Sequence, residues 1–182
     1  MKAQRAFDLP FRTAMGAEDF IVADSNRQAV AMIDRWPAWP ARILILHGAP
    51  GAGKTHLAQV WAGTSRATLT PGATASRELE NLLRLPNIII DGIEAVAGQT
   101  AAEQALFHLC NHIQQTGHML LTAAVPPAQL GIALPDLRSR LLSYPAIALL
   151  PPDDALLAAL LIKQFDDRQL RVGRDVVDYL LP

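Results

Sequence analysis

Residues 48–55 read GAPGAGKT, which fits the spacing G-x-x-x-x-G-K-[ST]. Glycines at those positions let backbone N–H groups turn inward around an anion. A helix starting at the lysine adds its own unpaired N–H groups at the same point. Lys54 then reaches the β- and γ-phosphates of a nucleotide, and the Thr55 hydroxyl ligates Mg²⁺. A second candidate group lies downstream, where Asn87-Ile-Ile-Ile-Asp91 ends an apolar β-branched run in a carboxylate. This Walker B pattern puts Asp91 where it can hold Mg²⁺ through water. Alone, an Asp-Gly pair after a strand reads better as a simple turn; the phosphate loop upstream reverses that in favour of the metal role. Gly92 follows, where many phosphate-loop ATPases carry a second acid to polarise the attacking water. Glu94 can substitute only if the turn bends back, so the expectation is nucleotide binding with slow intrinsic hydrolysis.

These side chains need strands that end together and helices that start there. Ile43–Leu46 is an apolar run before the loop, within a strand expected over Arg42–His47, and a helix is expected over Lys54–Ala62. Further strands are expected at Ala67–Thr70, Asn87–Asp91, His118–Thr122 and Tyr144–Leu150. A helix over 26–36 begins at an Asp24 or Ser25 cap, places Ala29, Val30, Ile33 and Trp36 on one face, and ends at the Pro37 and Pro40 region. Thr70–Ala73 reads as a turn and Ala75–Leu85 as a short helix. Residues 101–116 form a long amphipathic helix with Ala105, Leu106, Leu109, Cys110 and Ile113 inward, closed by Gly117. Leu134–Leu141 opens a helix carrying Arg138 and Arg140. Asp153 caps a helix over Ala155–Phe165, and another starts near Gly173. Strands alternating with helices predict an α/β fold with a parallel sheet and a ligand at the strands' carboxyl ends.

Composition narrows the classes. With 182 residues, 51% hydrophobic and 18% charged, the chain is globular. Its net charge of −1 excludes a strong whole-chain drive toward nucleic acid. The single cysteine, Cys110, allows no internal disulfide, which suits a reducing cytosol. The opening MKAQRAFDLPF lacks a long apolar segment, and no run reaches transmembrane length. His108 and His112 are four apart on a helix, but no third ligand is spaced to complete a metal site. In the tail, Pro10 prevents an ordinary helix. Phe7, Leu9 and Phe11 alternate as they do in an extended peptide offered to a partner's pockets; packing on its own domain is the equal alternative.

The order Phe20–Asn26, GAPGAGKTHL, IIIDGIEAVAG, LLTAAVPP and LPDLRSRL resembles the AAA+ module of the DnaA family of bacterial replication initiators. Within that family it looks closer to the short Hda type, which inactivates the initiator. The sequence carries no DNA-binding domain after the module, and Gln4-x-x-Phe7-x-Leu9 looks like a sliding-clamp-binding peptide. The resemblance implies a five-stranded parallel AAA+ sheet flanked by helices, with an incomplete C-terminal helical lid. It divides the chain into a clamp-binding tail (1–15, with Gln4, Phe7, Leu9 and Phe11), a nucleotide-binding domain (16–151) and a partial lid (152–182). Phe20, Ile21 and Val22 would line the adenine pocket. Gly48, Ala49, Pro50, Gly51, Ala52, Gly53, Lys54, Thr55 and His56 would hold the phosphates, and Thr55 and Asp91 would serve Mg²⁺. Thr122 falls at the sensor-1 strand end, followed by Ala123 and Ala124 where the family usually has an acidic or polar residue. Arg140, which on residue chemistry alone reads as a surface ion-pair residue, matches an arginine finger supplied in trans.

The function so implied is regulation of chromosomal replication initiation. The chain binds ADP or ATP with Mg²⁺, attaches to the DNA polymerase sliding clamp, and promotes ATP hydrolysis by DnaA. It would be cytoplasmic and replisome-associated, with no membrane contact and only weak or indirect DNA contact. A truncated lid exposing Val176, Val177, Leu180 and Leu181 would allow a homodimer. A stand-alone ATPase of the helicase-loader type is the rival reading. A small-molecule kinase is a third, disfavoured by the lack of an arginine-rich lid.

Overall fold

The computed structural model describes residues 20–168 and Val176. The tail residues Gln4, Phe7, Leu9 and Phe11, and the helix expected from Gly173, lie outside the described residues. The chain order is α1 (Arg27–Ile33), β1 (Ile43–His47), α2 (Lys54–Ser65), β2 (Thr68–Pro71), α3 (Gly72–Ala75), α4 (Leu79–Leu82) and β3 (Asn87–Asp91). A 3₁₀ turn (Ile93–Val96), α5 (Thr100–Thr116), β4 (His118–Ala123), a second 3₁₀ turn (Pro127–Gln129), α6 (Pro135–Ser143), β5 (Ala146–Ala148) and α7 (Asp154–Asp167) complete it.

The strands form one five-stranded sheet in the order β2-β3-β4-β1-β5, and every pairing is parallel. Parallel strands joined by helical crossovers bury both faces, which is why β1, β3 and β4 read as near-continuous apolar runs. Alternation then sorts the side chains between two cores. Ile43, Ile45, Ile88, Ile90, Met119 and Leu121 face one core, where Leu106, Leu109, Cys110 and Ile113 of α5 and Leu137 and Leu141 of α6 cover them. Leu44, Leu46, Ile89 and Leu120 face the other, under Ala29, Val30 and Ile33 of α1 and Leu57, Val60 and Trp61 of α2. Parallel register brings His47 level with Ala123, and Leu121 with Ile90. All of the loops that follow the strands therefore open on one edge.

Several expectations change at the boundaries. The cap of α1 is Asn26 rather than Asp24 or Ser25. Its amide braces the preceding loop, accepting from the Ala23 N–H at 2.9 Å and donating to the Ile21 carbonyl at 2.9 Å. Asp24 pairs instead with Arg27 at 2.5 Å, a surface contact worth little. Helix α1 stops at Ile33, so Trp36 lies beyond it and packs edge-on against Trp61. The turn expected at Thr70–Ala73 is absent: Pro71 still pairs with Asp91 in β2, and Gly72 starts α3. Proline is tolerated there because β2 is an edge strand. The single helix expected over Ala75–Leu85 is two short ones, and the last strand keeps only three residues. Asp153 does cap α7, its carboxylate accepting from the Leu156 N–H at 2.8 Å.

Candidate nucleotide site

Strand β1 delivers the chain to the open edge, and Gly51 and Gly53 turn it with φ of +80° and +96°. Such left-handed backbone is cheap only for glycine. A Cβ on Gly51 would meet nothing within 4 Å, so conformation and not crowding selects glycine there. Gly48 is different: a Cβ would collide with the Leu149 carbonyl oxygen. Helix α2 then begins at Lys54. The Lys54 ammonium reaches back across the loop, donating to the Gly48 and Ala49 carbonyls at 2.6 and 2.9 Å. This keeps its charge within the loop that α2 closes.

Asp91, at the end of β3, is the centre of the edge. Strand β4 separates β3 from β1, yet the first turn of α2 reaches across. The Thr55 hydroxyl donates to the Asp91 carboxylate, 2.9 Å from Oδ2 and 3.2 Å from Oδ1. From β4, the buried Thr122 hydroxyl donates to Asp91 Oδ1 at 2.5 Å and accepts from the Gly92 N–H at 2.8 Å. Thr122 is thus spent on orienting the aspartate. Three elements distant in sequence converge on one carboxylate. Hydroxyl and carboxylate oxygens are the hard donors that Mg²⁺ takes, with water and phosphate completing its octahedron. The donor set fits that ion, with Thr55 and Asp91 as the residues that would hold it.

Gly92 has φ +75°, and the chain folds straight into the 3₁₀ turn that buries Ile93 and Val96. The turn does bend back: Glu94 Oε2 accepts from the Ala124 N–H at 3.1 Å, just beyond β4. Of the residues expected at the adenine, Phe20 is buried and meets His56 edge-on, 5.0 Å between rings. Ile21 and Val22 follow it, partly buried. Val22 packs on the core that α2 shares.

Arg140 belongs to a separate constellation. Its guanidinium stacks over the Phe107 ring at 5.5 Å and donates to the Gln114 side-chain oxygen at 3.2 Å. Gln114 in turn donates to the Tyr144 hydroxyl at 3.0 Å. Burial pushes the neighbouring Cys110 thiol up to about 12 against the lowering pull of Tyr144 and Arg140, so it stays protonated and inert. The segment that launches α6 is fixed by Glu103, which belongs to none of the sequence motifs. Its buried carboxylate accepts from the N–H groups of Gly98, Ala133 and Leu134, at 2.8, 3.0 and 2.6 Å. Burial raises its pKa, but the three donors outweigh that and hold it below the ordinary value. Its spacing of three and seven residues from Leu106 and Cys110 put an acid on the apolar stripe of α5, and that was the available signal. His108 and His112 belong to no group of three metal-ligating side chains among the described residues. No helix among those residues is long and apolar enough to cross a membrane.

With this geometry in hand, relatives can be compared. The chain is 29% identical over 191 aligned positions to the chromosomal replication initiator protein DnaA of Thermomicrobium roseum, covering 90% of this chain and 40% of that one. Domain III of the Thermotoga maritima initiator DnaA superimposes with a TM-score of 0.77 at 19% identity, over 95% of this chain and 82% of that one. The fold is that of a DnaA-like AAA+ module. DnaA from Aquifex aeolicus bound to AMPPCP superimposes with a TM-score of 0.75, also at 19% identity, over 90% of this chain and 58% of that one. No family model matches the chain. It spans well under half the length of the curated relative it matches.

Proposed function

We propose that this DnaA-like module is an Hda-type regulator of replication initiation. It binds ADP or ATP with Mg²⁺ in its own phosphate loop, attaches to the sliding clamp through Gln4, Phe7, Leu9 and Phe11, and presents Arg140 to ATP held by DnaA. In the cytoplasm, at the replisome, hydrolysis of that ATP switches the initiator off. Phe20, Ile21 and Val22 line the adenine side, Thr55 and Asp91 hold the metal, and Thr122 acts as a positioning residue for Asp91. When bound, Mg²⁺ offsets charge on the β- and γ-phosphates.

One observation carries the trans role of Arg140. Its described partners are a ring face and an amide oxygen from α5 and the Tyr144 hydroxyl, and no carboxylate among the described residues pairs with it. A guanidinium so held keeps its positive charge unneutralised. It is oriented by neutral contacts and available to an incoming phosphoryl group. The test is DnaA-bound ATP hydrolysis on a clamp-loaded template with wild type and Arg140→Ala. Stimulation lost in the variant, with nucleotide and clamp binding intact, is the expected result.

A second reading, a stand-alone ATPase of the helicase-loader type, draws support from the assembled Thr55–Asp91–Thr122 cluster. Steady turnover by the isolated chain, lost in Lys54→Ala, together with no effect on DnaA, would favour it.

A further inference from the structure

The sequence denies this chain a second acid directly after Asp91, yet a second carboxylate is present at the same edge. Gly92 adopts φ +75° and ψ +60°, and the turn after it is anchored at Ile93 and Val96 in the core. Gly72 braces it from α3, where any Cβ would collide with the Gly92 carbonyl oxygen. This reversal carries Glu94 back beside position 92. A Cβ built on Gly92 would lie 3.7 Å from Glu94 Oε1 and 3.9 Å from its carboxyl carbon. The Glu94 carboxylate therefore lies in van der Waals reach of position 92. Its other oxygen is tethered to the Ala124 N–H, two residues past the Thr122 that holds Asp91. No cation among the described residues neutralises it. The free Oε1 is a negatively charged acceptor, exposed to water, at the edge where the phosphate loop opens.

We infer that Glu94 is the catalytic residue that orients and deprotonates the attacking water when this chain hydrolyses its own bound ATP. The inference rests on the nucleotide-binding reading above and extends it from binding to turnover. Glu94 Oε1 accepts a proton from water as the water oxygen bonds to the γ-phosphorus. The bond between that phosphorus and the β–γ bridging oxygen breaks, and its electron pair stays on ADP. Glu94 then releases the proton to solvent, and the products are ADP and phosphate. A tethered carboxylate of this kind supplies general-base catalysis, which contributes roughly 10²–10⁴ in rate where it operates.

Glu94→Gln separates charge from shape, because the glutamine oxygen can still accept from the Ala124 N–H. The experiment uses the full chain with Mg²⁺ and labelled ATP. It measures ATP affinity, single-turnover hydrolysis across pH, and the thermal midpoint. The expected result is unchanged affinity and midpoint with hydrolysis slowed by about a hundredfold at every pH at which wild type turns over. Glu94→Asp, one methylene shorter, should fall between. Equal hydrolysis in wild type and Glu94→Gln, or no hydrolysis by wild type with ATP bound, overturns the inference. Failure of wild type to bind ATP at all removes the nucleotide reading beneath it, which is a separate outcome.

Discussion

The open edge of the sheet and the arm formed by α5 and α6 are built in opposite ways. At the edge, groups from α2, β3 and β4 meet on one carboxylate, and short polar links join them: Thr55 to Asp91, Thr122 to Asp91, Gly92 to Thr122. Each residue there sits at or beside the end of a regular element, so strand register and the start of α2 bring it into place. In the arm, Arg140 relies on side chains 26 to 33 residues away in sequence, Gln114 and Phe107. The segment leading into α6 hangs on Glu103, 30 and 31 residues from the amides it holds. Under the proposed function the first region is a ligand-binding edge, set by backbone topology. The second, on the same reading, presents Arg140 to a partner, and its arrangement depends on tertiary contacts. Damage to the edge should therefore show in nucleotide handling, and damage to the arm in action on a partner.

Changes at four positions separate the two regions, taken from the largest effect down. Arg140→Ala should cut stimulated hydrolysis of DnaA-bound ATP by about 10³–10⁵, the range for fingers supplied in trans, while nucleotide affinity of this chain is unchanged. A rate assay beside a nucleotide titration checks both arms, and a parallel loss of affinity would merge the two regions into one. Glu103→Ala should cost about 3 kcal/mol or more in stability, because three backbone donors lose their acceptor. Urea unfolding measures it, and a cost below about 1 kcal/mol would mean that the loop finds other acceptors.

The same residue predicts an acid response. Its folded pKa is depressed, so its contribution is present in full above the ordinary value of 4.5 and is lost as pH falls below it. The stability gap between wild type and Glu103→Gln should therefore narrow between neutral pH and pH values in the acid range below 4.5. A gap that is constant or widens would contradict the assignment.

Thr122→Val keeps the shape, removes the hydroxyl, and orphans the Gly92 N–H. It should cost about 1–3 kcal/mol in stability and weaken Mg²⁺-dependent nucleotide binding, with Arg140 action on the partner spared. Calorimetry with and without Mg²⁺ tests this. An effect on binding that is independent of the metal would separate Thr122 from Asp91. Phe107→Ala is the mildest change, removing a cation–π contact worth about 0.5–1 kcal/mol at an exposed site. Stimulation should fall a few-fold while the fold persists; no change would show that Arg140 needs no platform.

The contrast also explains what the sequence could and could not tell. The phosphate loop, β3 from Asn87 to Asp91, and the inward face of α5 were legible because contiguous spacing encodes them. The five-stranded parallel sheet followed from strands alternating with helices. The polar link from Thr122 to Asp91 was not legible, because it depends on β4 lying between β1 and β3, and strand order is a long-range property. Pro71 looked like a turn former and instead extends an edge strand, since only the sheet reveals which strands are edges. Glu94 could be named as a substitute acid, but only the left-handed Gly92 shows the turn bending back. Arg140 became a candidate through resemblance alone. Its supports, Phe107 and Gln114, look like ordinary positions of an amphipathic helix.

The most direct test of the central claim is hydrolysis of ATP prebound to DnaA, on DNA-loaded clamp, with limiting amounts of this chain. The account predicts conversion to ADP that requires the clamp and disappears both in Arg140→Ala and in Gln4→Ala/Phe7→Ala. Full stimulation by Arg140→Ala, or none by the wild-type chain on loaded clamp, would contradict it.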